Sequence, residues 1–349
     1  MAESCTPAKA ELLATKTVQE LLTKGDKVPQ NYIHEVGIPD PNASVELMDT
    51  PVIDLDQLTP SSITVEQLDK LRSALTTWGC FQVINHGMTP EFLDQLREIT
   101  KQFFAIPMEE KLKYLRPVND IEGYGNDTVF SEQQTLDWTD RLYLTVYPAA
   151  QRKLELWPEN PKSFRDIIDQ FTGKLQVVTE TVLKAMAKLL NLEENCLLDK
   201  FGEMDARFSL YPPCSMPDHV LGIKPHADST IISILLLDKE VEGLQFLKDD
   251  EWFRAPIVPE ALLINVGDQA EILTNGMFKS PVHKVVTNAQ KERISLVVFC
   301  NPNSDTEIEP FKSLITESRP RLYRKIKNYG DIYFEYYQQG KRPIEVAKI

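Results

Sequence analysis

The chain has 349 residues, 42% hydrophobic and 26% charged, which is the balance of an ordinary globular protein and not of a disordered one. Its 52 acidic and 38 basic residues leave a formal charge of −14, a surface that repels nucleic acid and anionic membrane, so neither is expected as a partner. No apolar run approaches the roughly eighteen residues of a membrane span, and the five scattered cysteines, with no CxxC pair, support neither a disulfide framework nor a thiolate zinc site.

Residues 1–50 read as a helix and an irregular arm. The apolar positions Leu12, Leu13, Val18, Leu21 and Leu22 are interrupted by Glu11, Lys16 and Glu20, unlike a secretory signal, so a cytoplasmic protein with reduced thiols is expected. A helix-rich region follows over 51–203. A short strand is expected at 51–55, then a helix at 65–78, where Leu68, Leu71, Leu75 and Trp78 recur at three and four. Next come a strand at 81–85, a helix at 90–104 with Pro90 in its first turn, and a long helix at 163–190. From 204 to about 310 the pattern changes to short apolar or alternating runs at 207–211, 230–237, 243–247, 252–257, 261–266 and 294–299, divided by Pro, Gly, Asp and Asn. Residues 311–349 hold a closing helix, expected over 319–338. Helices segregated from strands predict an α+β fold with a β-barrel or jelly-roll core between N-terminal helices and a C-terminal helix. The four regions are expected to form one cooperative unit, and the protein a monomer.

The chemistry concentrates in Lys224-Pro225-His226-Ala227-Asp228-Ser229. Side chains two apart on an extended strand point the same way, so His226 and Asp228 would present an imidazole and a carboxylate side by side. Of the other histidines, His34 lies in the arm, His86 in a turn of the helical half, and His219 too near in sequence to return to the site. His283, inside the β-rich region, is the best third ligand. Two imidazoles and a carboxylate with open positions form the facial set of non-haem Fe(II) oxygenases. Ten residues beyond His283, Arg293-Ile294-Ser295 alternates polar with apolar, putting Arg293 and Ser295 on one strand face. An inward Arg is costly unless an anion meets it, and its planar fork suits a carboxylate. Ser209 and Tyr211 share a face of the 207–211 strand, and Tyr211 offers a further hydroxyl. Taken singly, Arg293, Ser295 and Tyr211 are ordinary strand residues; together with the triad they describe a receptor for a small dicarboxylate.

The motifs WGCFQVINHG at 78–87, Tyr211-Pro212-Pro213-Cys214, His226-Ala227-Asp228, Asn265-Val266-Gly267-Asp268, Thr274-Asn275-Gly276, His283-Lys284-Val285-Val286 and Arg293-Ile294-Ser295 stand in order over about residues 50–340. In this they resemble plant 2-oxoglutarate/Fe(II)-dependent dioxygenases of specialised metabolism. The branch that looks most similar contains alkaloid O-demethylases, senescence-related proteins and flavone-modifying oxygenases. The resemblance implies a double-stranded β-helix, Fe(II) on His226, Asp228 and His283, and the 2-oxoglutarate C5 carboxylate on Arg293, Ser295 and Tyr211. It also implies O2 as co-substrate, ascorbate as reductant, and succinate and CO2 as products. A small, largely apolar flavonoid, diterpenoid or alkaloid would be hydroxylated, desaturated, or O-demethylated to a phenol and formaldehyde. Ser209 stands where the family usually has Asn, so one amide contact to the co-substrate is expected to be missing; Ser229 and Leu237 depart as well. Phe299, six residues after Arg293, matches a position where relatives place an aromatic against substrate. Tyr124, Phe130 and Leu142, and Tyr333, Phe334 and Tyr337 of the closing helix, are further candidates for the pocket wall. The rival readings are an Fe(II) oxidase of the same fold that dispenses with 2-oxoglutarate, a non-catalytic small-molecule-binding protein, and a zinc hydrolase or lyase.

Overall fold

The computed structural model describes residues 16–25, 27–34, 45–59, 61–118, 120–127 and 134–349. A capping box, in which Thr17 and Glu20 exchange side-chain and backbone hydrogen bonds, starts α1 (Val18–Thr23) and docks Val18 and Leu21. Strand β1 (Val52–Asp54) leads to α2 (Val65–Thr77), capped by Thr64, with Leu71, Ala74 and Leu75 buried at helical spacing. After β2 (Cys80–Ile84), Thr89 caps and Pro90 opens α3 (Pro90–Ala105), followed by the single turn α4 (Met108–Lys111). Strands β3 (Gly123–Gly125) and β4 (Asp140–Tyr147) come next, then the 26-residue α5 (Phe164–Leu189), whose Phe164, Ile168, Phe171, Leu175, Val178 and Val182 form its core stripe. The β-rich half runs through β5 (Glu203–Tyr211), β6 (Leu221–His226), β7 (Ile232–Leu237), β8 (Leu244–Lys248), β9 (Glu251–Arg254) and β10 (Leu262–Val266). A short α6 (Asp268–Leu273), β11 (His283–Val286), β12 (Arg293–Asn301) and α7 (Tyr329–Gln338) complete it.

The strands form two sheets, of order β1-β2-β10-β7-β12-β5-β4-β3 and β6-β11-β8-β9. Apart from the parallel β1–β2 pair every ladder is antiparallel. The large sheet carries the helices α3 and α5 on one face and the small sheet on the other, an α+β jelly-roll core. Alternation sorts the residues of its central strands. On β4, β5 and β12 the side chains of Leu142, Leu144, Phe208, Leu210, Leu296 and Val298 join the helix-side core. Their neighbours Arg141, Tyr143, Arg207, Ser209, Val297 and Phe299 line a cavity between the sheets.

Strands β1 to β4 precede residue 204 yet belong to the large sheet, so the compositional boundary at 203/204 runs through one sheet. One expectation changes. The closing helix spans only Tyr329–Gln338. Over 319–328 the segment spends its backbone groups on bridges such as Ile308↔Ile326 and Tyr323↔Lys348 in place of helical bonds.

Candidate active site

His226 ends β6, Asp228 follows it, and β11 places His283 directly across from His226 in the ladder. Their ligand atoms all lie within 4.8 Å of one another. The His226 and His283 Nε2 atoms are 3.8 and 3.6 Å from Asp228 Oδ1. Each Nδ1 faces a backbone carbonyl, Lys224 at 2.9 Å and Pro281 at 3.1 Å. A carbonyl only accepts, so Nδ1 carries the proton in both rings and each Nε2 lone pair faces its partners, the tautomer a metal requires. Burial, reinforced by the neighbouring His283, pushes the His226 pKa well below its ordinary value, which keeps the ring neutral. Asn265 donates to Asp228 Oδ2 at 3.3 Å and leaves Oδ1 toward the histidines. This donor set could hold Fe(II) with positions to spare.

Beyond the triad lies the inward end of β12. Arg293 is 4% exposed, yet its Nε and Nη1 find no partner among the described residues. Its guanidinium lies over the Tyr211 ring at 5.2 Å, and the Tyr211 and Ser295 hydroxyls are 3.3 Å apart beside it. A Cβ on Gly243 would stand 3.1 Å from Arg293 Cδ, so glycine there leaves the arginine its room. An orphaned buried guanidinium next to two hydroxyls fits the distal carboxylate of 2-oxoglutarate.

The cavity has a volume of about 470 Å³ and extends from Arg293 past the triad to a second, more polar end. Asp127 accepts Arg141 Nε at 2.6 Å and both terminal nitrogens of Arg207 at 3.2 Å, two cations to one anion. Burial would raise the Asp127 carboxyl, but the Arg207 and Arg141 guanidiniums outweigh it and hold the pKa well below the usual range. Tyr143 stacks on Phe299 at 6.0 Å and 19°. Further along, Asp205 accepts from Thr145 at 2.8 Å and Asn301 at 3.2 Å. Burial first, then the neighbouring Glu203, raise its pKa to about 7. Helix α7 contributes Tyr333, Phe334 and Tyr337 to the lining.

Of the residues read as candidates, His226, Asp228, His283, Arg293, Ser295, Tyr211, Ser209, Phe299 and Phe334 line this one cavity. Ser209 faces inward, but its hydroxyl accepts Arg207 Nε at 3.2 Å. Tyr124 and Leu142 are not at the cavity. Each is 0% exposed in the helix-side core, and they pair across β3 and β4, so the alternation of β4 turns Arg141 and Tyr143 inward instead. Phe130 lies outside the described residues. The sequence reading missed Asp127, Arg141, Tyr143, Arg207 and Asp205. The one charged position of 207–211 could have pointed to Arg207, and the alternating run at 141–147, closed by Pro148, could have marked the strand that carries Arg141 and Tyr143.

Residues 194–302 match the 2OG-Fe(II) oxygenase superfamily, and residues 50–160 match the family described as non-haem dioxygenase in morphine synthesis N-terminal. The chain is 38% identical over 333 residues to codeine O-demethylase of Papaver somniferum, covering 93% of this chain and 92% of that protein. It is 35% identical over 355 residues to oxoglutarate-dependent flavonoid 7-O-demethylase 1 of Ocimum basilicum, covering 100% and 94%. The crystal structure of JOX2 in complex with 2OG, Fe and JA superposes with a TM-score of 0.86 at 32% identity, covering 96% of this chain and 98% of that one. An orphaned arginine, a His-Asp-His cluster and a jelly roll thus coincide with likeness along nearly the whole length, and the chain belongs to the 2OG-Fe(II) oxygenase superfamily as a plant 2-oxoglutarate-dependent dioxygenase, an oxidoreductase that uses Fe(II), 2-oxoglutarate and O2 on a small molecule.

Proposed function

We propose that this enzyme oxidises a C–H bond of a flat aromatic plant metabolite of the flavonoid or alkaloid class, by hydroxylation, O-demethylation or desaturation. The carrying observation is one continuous cavity that runs from Arg293, whose Nε and Nη1 have no partner among the described residues, past the triad to the stacked Tyr143–Phe299 pair. A parallel ring pair favours a planar π-surface over a saturated diterpenoid skeleton. The related codeine and flavonoid demethylases support the same class.

In this reading His226, Asp228 and His283 hold Fe(II), and Arg293 grips the C5 carboxylate of 2-oxoglutarate bidentately, assisted by Ser295 and Tyr211. Bound there, Fe(II) and 2-oxoglutarate supply O2 activation, with succinate and CO2 as co-products. The protein's own contribution is placement. The carbonyls of Lys224 and Pro281 fix the imidazoles, Asn265 turns the carboxylate, and the Tyr143–Phe299 wall sets which substrate carbon lies nearest the metal. Ser209, engaged by Arg207, is not assigned a bond to the co-substrate.

Anaerobic titration with Fe(II) and then 2-oxoglutarate tests the co-substrate half. A weak visible charge-transfer band is expected, and its loss in Arg293→Ala. Iron binding without a band would favour the oxidase that dispenses with 2-oxoglutarate, and no iron binding would end the triad assignment. With methoxyflavones and benzylisoquinolines as candidate substrates under O2, succinate is expected in step with an oxidised product. Turnover confined to diterpenoids would overturn the aromatic reading.

A further inference from the structure

Two buried carboxylates tie the C-terminal helix to the segments that carry the metal triad. Tyr329, Tyr333 and Tyr337 are spaced by four on α7 and share one face. The Tyr329 hydroxyl donates to Asp268 Oδ2 at 2.7 Å, Arg342 reaches Oδ1 at 3.2 Å, and the Asp268 N–H donates to the Asp228 carbonyl at 2.8 Å. At the other end of the helix the Tyr337 hydroxyl donates to Asp137 Oδ2 at 2.7 Å. Asp137 also accepts the Lys224 N–H at 2.8 Å and its Nζ at 3.1 Å, and the Lys224 carbonyl is the group that fixes His226 Nδ1. The Tyr337 ring stands edge-on to the His226 imidazole at 5.5 Å and 90°, with the Lys224 ammonium 4.1 Å from its centroid.

The phenols add a tether beyond packing: the Asp137 carboxylate also holds the Lys224 N–H two residues before His226, and the Asp268 N–H is bonded to the Asp228 carbonyl. If α7 lifts, Asp137 and Asp268 each lose a phenol donor, and that loss falls on the segments presenting His226 and Asp228. Helix docking and ligand placement then form one coupled equilibrium, and coupling of this kind is reciprocal. Tyr333, stacked on Tyr337 at 5.8 Å and facing the cavity, moves with it.

We propose that Tyr337 and Tyr329 are positioning residues that latch α7 to the His226 and Asp228 segments, so that an assembled metal site steadies the helix over the substrate cavity and a docked helix steadies the metal site. The proposal rests on the reading of the triad as the iron site. Co(II) titration followed by visible absorption is the test, with hydrogen exchange of residues 329–338 recorded with and without Co(II). The proteins compared are the wild type, Tyr337→Phe, Tyr329→Phe and, as a control off the latch face, Tyr336→Phe. Groups that orient ligands typically change metal affinity by about 10–100-fold, so Tyr337→Phe is expected to weaken Co(II) binding about tenfold and Tyr329→Phe by somewhat less. Co(II) should slow exchange across α7 in the wild type and the control, and much less in the two latch variants. Wild-type Co(II) affinity in both latch variants, with α7 exchange indifferent to metal, would overturn the latch and leave the triad reading standing. A lowered melting temperature with unchanged Co(II) affinity would reduce both tyrosines to packing and overturn it likewise. A wild-type protein that binds no Co(II) would overturn the triad reading and the latch together.

Discussion

At the Arg293 end of the cavity every polar side chain steps in from a strand at two-residue intervals: Ser209 and Tyr211 from β5, Arg293 and Ser295 from β12, with His226 and Asp228 beside them. At the other end the parts come from far apart in the chain. Asp127 lies in a loop, Tyr143 on β4, Asp205 and Phe299 at the outer ends of β5 and β12, and Tyr333 on α7. At the first end Arg293 Nε and Nη1 find no partner among the described residues, whereas the second end gathers two arginines on Asp127. A buried cation left open can receive an anion from outside, whereas cations already paired hold their own wall in place.

Substitutions can break this contrast from either side. The largest effect is expected from Asp228→Ala, which should fold normally and lose Fe(II) affinity by about a hundredfold or more, exceeding the loss for groups that only orient ligands; stoichiometric iron in the purified variant would sink the assignment. Asp127→Ala should act at the opposite end and on stability. It strands Arg141 and Arg207, whose side chains are 5% and 13% exposed, and breaking such a buried pair costs about 3 kcal/mol. Denaturant unfolding would measure that cost, while an unchanged 2-oxoglutarate requirement would show that the two ends act separately. Arg293→Lys gives the converse. Loss of the forked contact is worth about 1.5–3 kcal/mol, so the 2-oxoglutarate requirement should rise roughly 10–100-fold with little change in stability.

Smaller effects sharpen the division. Phe299→Ala removes one ring of the stacked pair, worth about 0.5–1.5 kcal/mol. Substrate KM or product position should shift several-fold while the 2-oxoglutarate requirement holds, and a changed requirement would assign Phe299 to the other end. The smallest concerns pH. The Asp205 pKa is raised from 3.8 to about 7, so between those values the folded state binds the proton more tightly than the unfolded one. Its contribution is complete below the ordinary carboxylate value and is lost as pH rises through about 7. The melting temperature should therefore decline from about pH 5 to pH 7 and level off above it, and Asp205→Asn should flatten that decline; an identical slope in the variant would place the titration elsewhere.

The Arg293 end was legible because it depends on a local rule. His226-Ala227-Asp228 and Arg293-Ile294-Ser295 carry their geometry in a two-residue period, and the scarcity of histidine leaves His283 as the natural third member. The rule could not act where the strand itself went unrecognised. A shift of one residue on β4 exchanges Leu142 for Arg141 and Tyr143, and so exchanges core for cavity. Tyr124 follows Leu142 into the core because it sits opposite it in the ladder. The start of α7 was misplaced because the preceding segment satisfies its backbone through bridges to distant residues, which no local period reveals.

What the sequence determined by itself is the long helices, most of the β-rich runs and the chemistry they carry: the strand and helix periods, the donor types of the triad, and an inward arginine calling for a carboxylate. Only the tertiary structure decided which groups meet across the cavity. The pairing of Asp127 with Arg141 and Arg207, the stack of Tyr143 on Phe299, and the bonds from Tyr329 and Tyr337 to Asp268 and Asp137 join residues up to 200 positions apart. Alternation and propensity act over a few residues, whereas such contacts follow from strand order and register, which the packing of the whole sheet sets.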